Sequence, residues 1–99
     1  MSVRSKHGVR IRLPEERWQH IVEEHAELEG YRAEVLRTVA DPDAVYRGSR
    51  GELIAVREME PGKHLVVVYR EIDRKDGFII TAFLTRRPSW FERRQKLWP

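Results

Sequence analysis

Two stretches near the C-terminus, His64–Glu71 (HLVVVYRE) and Gly77–Thr85 (GFIITAFLT), are almost unbroken runs of β-branched, aliphatic and aromatic residues. Runs this short and this rich in Val, Ile, Phe and Tyr predict strands rather than helices, and the polar connection Asp73–Gly77 predicts that they lie side by side as an antiparallel pair. Strict alternation would put Val66, Val68 and Arg70 on one face of the first strand and Leu65, Val67 and Tyr69 on the other. On the second strand, Ile79, Thr81, Phe83 and Thr85 would oppose Phe78, Ile80, Ala82 and Leu84. Both faces are largely apolar, so the polar residues that interrupt them stand out. Tyr69, Arg70 and Thr81 are therefore candidate site residues, joined by Arg57 on the preceding strand.

The flanking segments complete one α+β domain. Val9, Ile11 and Leu13 alternate with Arg10 and Arg12, a half-buried strand that ends where Pro14 opens a helix. That helix is predicted to run to about Leu28, with Glu15 and Glu16 in its first turn and Gly30 as its stop. A second helix follows over Tyr31–Ala40 and ends at Asp41 and Pro42. Strands are then expected at Ala44–Arg47, Glu52–Glu58, Lys63–Ile72 and Phe78–Thr85. The glycines Gly48, Gly51, Gly62 and Gly77 read as turn residues. The expected architecture is two N-terminal helices packed on a four- to five-stranded antiparallel sheet, with Ser89–Leu97 as a short basic helix or tail. One sheet face would stay open for binding.

The 99 residues suffice for a single core, and 40% of them are hydrophobic. With no cysteine, disulfides and thiolate metal sites are excluded. No apolar run approaches the roughly 18 residues of a membrane helix, and the basic start of the chain lacks an apolar signal core. These features read as a soluble, cytoplasmic protein. The net charge of +3 is unevenly spread. Met1–Leu13 carries Arg4, Lys6, Arg10 and Arg12 without an acid. Glu15–Glu29 holds six glutamates against Arg17, and Arg86–Lys96 holds Arg86, Arg87, Arg93, Arg94 and Lys96 against Glu92. Basic ends suit a polyanion, whereas the acidic helix suits solvent or a basic partner.

His25 falls within the apolar stripe Trp18, Ile21, Val22 and Leu28 of the first helix. On a regular helix it lies roughly 20° from Trp18, while His20 points roughly 160° away, so one site cannot use both. An imidazole facing a core must be hydrogen-bonded or put to use. His64, at the start of a strand beside a turn, reads as a surface residue. His20 and His25 are five apart, which rules out the His-Glu-x-x-His zinc motif, and there is no glycine-rich phosphate loop or nucleophile elbow. Together an imidazole, a guanidinium and a hydroxyl suit metal-free phosphodiester cleavage. One group takes the ribose 2′-hydroxyl proton, another protonates the leaving 5′-oxygen, and a cation steadies the transition state.

The segments Arg17–His25 (RWQHIVEEH) with Glu27 and Leu28 behind them, Asp41–Val45 (DPDAV), Val66–Arg70 (VVVYR) and Ile79–Thr85 (IITAFLT) resemble the superfamily of small metal-independent ribonucleases that includes barnase, EndoU, the tRNA-cutting colicins and RelE-type toxins, in particular its phage- and prokaryote-encoded branches. The resemblance extends over about Val9 to Trp98 and implies an endoribonuclease without a cofactor. It implies that His25, with His20 as the competitor, transfers protons, that Arg70 and Arg57 clamp phosphate, and that Thr81 and Tyr69 supply hydroxyl contacts. RNA would be the partner, its bases stacked on Phe83, Tyr69 or Trp90 and its phosphates held by Arg86, Arg87, Arg93 and Arg94. A toxin-like enzyme would also have an antitoxin or other inhibitor protein. The alternative from a different class is a noncatalytic binding or regulatory module with the same fold, in which His25 is a core residue.

Overall fold

A computed structural model describes residues 1–99, and it is a mixed α+β structure rather than helices on an antiparallel meander. Seven strands form one sheet: β1 (Ser2–Arg4), β2 (Arg10–Arg12), β3 (Ala44–Arg47), β4 (Leu53–Glu60), β5 (Lys63–Glu71), β6 (Gly77–Thr85) and β7 (Lys96–Trp98), in the order β1-β2-β6-β5-β4-β3-β7. Three short helices accompany them: α1 (Glu15–Glu24), α2 (Arg32–Ala40) and α3 (Ser89–Glu92), with a 3-10 turn at Ala26–Leu28. No helix is long and apolar enough to cross a membrane.

The four-strand meander β3–β6 forms where the apolar runs lie, antiparallel throughout. The expectation of a four- to five-stranded antiparallel sheet fails at both edges. β2 joins β6 in parallel, Ile11 opposite Gly77 and Arg12 opposite Phe78. β1 folds back on β2, and β7 adds to β3 through Val45 and Trp98. The three-residue β1 and β7 carry almost no period-two signal, whereas β2 lies within the alternating segment Val9–Leu13. β2 and β7 add to the free edges of β6 and β3, and β1 to that of β2, where edge N–H and C=O groups need partners.

Gly77 has a role other than a turn. A Cβ there would run into the Arg70 carbonyl and the Ile11 side chain, so its lack of a side chain lets β5, β6 and β2 close up. At Gly51 and Gly62, with φ of +85° and +80°, the turn reading agrees with the backbone.

One face of the sheet is covered by α1 and α2. Its core joins Trp18, Ile21, Leu28, Val35, Leu36 and Val39 to Leu53, Ala55, Leu65, Val67, Tyr69, Ile79 and Ala82. A smaller cluster lies on the opposite face: Ala44, Tyr46, Ile54, Val56, Val66 and Val68, capped by Phe91 of α3 and flanked by Ile80 and Phe83. That second face is therefore open only in part. Its makeup depends on a bulge in β6, where Val68 pairs with Thr81 but Tyr69 pairs with Ile79. The extra residue breaks strict alternation. Ile79 and Ala82 both enter the helix-covered core with Leu84 beside them, while Thr81, Phe83 and Thr85 share the open face with their partners Val68, Val66 and His64.

Candidate functional site

The first helix stops earlier than its sequence pattern predicts. α1 ends at Glu24, and His25 leaves the helical conformation with φ −135° and ψ 74° while its N–H still donates to the Ile21 carbonyl. The apolar stripe continues through Leu28, but that residue is carried by the 3-10 turn. His25 consequently does not face the dry core. Its side chain is 32% exposed, its Nδ1 lies 3.5 Å from a Glu27 carboxylate oxygen, and its ring stands 6.0 Å from that of Phe83. The helical geometry that separated His20 from His25 does not apply to the second of them.

Phe83 begins a series of rings on the open face. Trp90 meets it edge-on at 5.1 Å and is 41% exposed, and the Arg94 guanidinium stacks 4.8 Å over the Trp90 ring. The α3 segment holds this arrangement because Phe91, only 3% exposed, is packed against Tyr46 and His64. Thr81 lies two residues from Phe83 on the same face and is half-buried. Imidazole, hydroxyl, stacking ring and guanidinium are thus distributed over one partly wetted strip.

Other candidates lie elsewhere. Tyr69 is 1% exposed in the helix-covered core, and burial raises the pKa of its phenol, so its hydroxyl faces no ligand. Arg57 is on the same side as Tyr69 and is taken up by the Glu34 carboxylate, the Glu34 carbonyl and the Thr38 hydroxyl. It ties β4 to α2, and the hydrogen bonds and charge of the guanidinium hold the Glu34 carboxyl below the usual carboxylate range. Arg70 is on the open face opposite Phe78, but its guanidinium is anchored on the Arg50 carbonyl and lies over Gly51. Nearby, the Glu52 carboxyl is held below its ordinary range, chiefly by backbone N–H donors, with smaller contributions from Arg70 and Arg94. Arg86 pairs with Glu60, and Arg87 and Arg93 are exposed.

His20 is on the exposed side of α1, 2.9 Å from Glu24. It lines a groove of about 460 Å³ together with Arg12, Pro14, Glu16, Arg17, Phe78 and Ile79. Sequence reasoning passed over Arg12 and Arg17 as site residues, although Arg17 opens the Arg17–His25 motif. His64 was expected at the surface but is 17% exposed, edge-on to Phe91, and its Nδ1 is buried without a hydrogen-bond partner. No three His, Asp or Glu side chains converge as a metal-ligating cluster. No family model, curated protein or solved structure matches the chain.

Proposed function

We propose that the protein is a metal-independent endoribonuclease, toxin-like and acting on RNA in the cytoplasm, with its reaction centred on His25. The observation that carries this reading is the continuous strip His25, Phe83, Trp90 and Arg94 on the half-open sheet face, with Thr81 beside it. A base stacked on the exposed Trp90 would bring its ribose and phosphate toward the imidazole. The ribose 2′-oxygen attacks phosphorus as the neutral His25 ring accepts its proton. The bond from phosphorus to the 5′-oxygen then breaks, that oxygen takes a proton back, and the products are a 2′,3′-cyclic phosphate and a free 5′-hydroxyl. Arg94 stabilises the extra negative charge of the transition state, and the Thr81 hydroxyl donates to a phosphate oxygen.

The test is incubation with single-stranded and structured RNA in chelator, with end-group analysis of the products. Cyclic phosphate ends are expected, with His25→Ala reducing the rate about 10²- to 10⁴-fold and Arg94→Ala reducing it less. If wild type leaves RNA intact, or if His25→Ala cuts equally well, the enzymatic reading fails. A noncatalytic module is favoured by one observation: His25 is paired with the Glu27 carboxylate, 3.5 Å away, as a structural histidine would be. That reading expects RNA or a protein inhibitor to be bound without cleavage.

A further inference from the structure

Along the edge of β6, the open face continues beyond the proposed reaction centre into the groove between β2 and α1. Phe78 lies on that face between Arg70 of β5 and Arg12 of β2. The Arg12 guanidinium is oriented by Asp76, which accepts from Nε and Nη2 at 2.8 and 2.9 Å and leaves Nη1 unbonded. Arg17 reaches the same edge through a single 3.5 Å contact to the Ile80 carbonyl, a neutral acceptor that leaves its charge uncompensated. His20, one helical turn further on, also lines the groove, its Nε2 2.9 Å from a Glu24 carboxylate oxygen. Glu16 is the carboxylate that also lines it.

We propose that this groove is a second phosphate subsite, with Arg17 as its principal cation, Arg12 as a further donor, His20 as another when both its ring nitrogens carry protons, and the Phe78 ring as an apolar wall. It deepens the nuclease reading and rests on it only for the identity of the strand: the ligand is single-stranded RNA laid along β6, long enough to reach from this groove to His25 and Phe83. Phe78 and Phe83 are five residues apart, roughly 15 Å of strand. At the stacked spacing of about 3.4 Å per nucleotide, that span takes about four or five nucleotides. A dinucleotide reaches only one of the two places.

The experiment uses uncleavable, fluorescently labelled 2′-O-methyl oligouridylates from two to about eight nucleotides long, with binding followed by anisotropy at several salt concentrations. Wild-type affinity is expected to rise in a step near five nucleotides. Arg17→Ala should lower the affinity of the long probe about three- to fivefold and reduce the steepness of its log–log salt dependence by about 0.7, leaving dinucleotide binding unchanged. His20→Ala should act the same way more weakly, and Glu16→Gln should strengthen long-probe binding about twofold. All three positions are exposed, so the fold should survive each change. The proposal is overturned if no probe binds, if affinity shows no step with length, or if Arg17→Ala binds the long probe as wild type does. Because the probes cannot be cut, the outcome is independent of the nuclease reading: a step in a protein that cleaves no RNA sinks the enzyme and keeps the subsite.

Discussion

The two faces of the sheet are built from the same strands, yet they differ in what water can reach. On the helix-covered face, Leu65, Val67, Tyr69, Ile79 and Ala82 are essentially dry beneath α1 and α2. On the other, Phe78, Ile80, Thr81, Phe83 and Thr85 of β6 are all half-exposed, and only Phe91 of a four-residue helix seals the neighbouring apolar patch. A dry face gains stability from each methylene it hides, whereas a half-wetted one keeps polar groups within reach of a ligand. The chain therefore places a dry face and a half-wetted one on opposite sides of β5 and β6. His25 is on the wetted side because α1 ends one residue before it.

The sharpest way to break this comparison is to truncate one large side chain on each face. Leu65→Ala should cost about 2–5 kcal/mol, since it leaves a cavity among fully buried neighbours. Phe83→Ala should cost only about 1–2 kcal/mol, because part of that ring is already in water. Equal shifts in urea midpoint for the two variants would show that the faces are energetically alike.

A smaller effect is expected at the seam where the faces share backbone. Gly77→Ala places a methyl against the Arg70 carbonyl and should cost about 1–3 kcal/mol, with the β2–β6 pairing the first to loosen. Hydrogen exchange localises that change: fast exchange at β1 and β2 with β4 and β5 protected supports it, and uniform loss of protection points to global destabilisation instead.

The smallest effect concerns the ion pair that fastens the helical layer to β4. Glu34 has its pKa lowered by hydrogen bonding to Arg57, so its contribution is fully present above the ordinary glutamate pKa and is lost as the pH falls through the depressed, folded-state value. Stability should decline on acidification below about pH 4.5, and Glu34→Gln should make that decline shallower. Midpoints measured across the acid range check it, and an unchanged slope would place the acid sensitivity elsewhere.

Much of the meander was legible because β3 to β6 carry strong local patterns: Ala44–Arg47 was predicted to the residue, and β5 and β6 to within one at each end. The opposing sets on β5 were also readable, since strict alternation holds there. On β6 the same rule put Ile79 and Ala82 on opposite faces, because a bulge has no signature in an IITAFLT run that is apolar whichever way it turns. The two candidates on the helix-covered side, Tyr69 and Arg57, looked like site residues because polar atoms in an apolar strand attract notice. Their partners, a buried core around the one and Glu34 with Thr38 for the other, come from elements distant in the chain.

The amino-acid order determined by itself that this chain builds a cysteine-free α+β domain with two apolar central strands, for hydrophobic periodicity and turn chemistry act over a few neighbouring residues. Which edges acquired β1, β2 and β7, where α1 stopped, and which cations lay beside Phe78 and Phe83 were decided only in the folded molecule. Those outcomes depend on backbone groups and side chains that meet across long sequence separations, where no local pattern can register them.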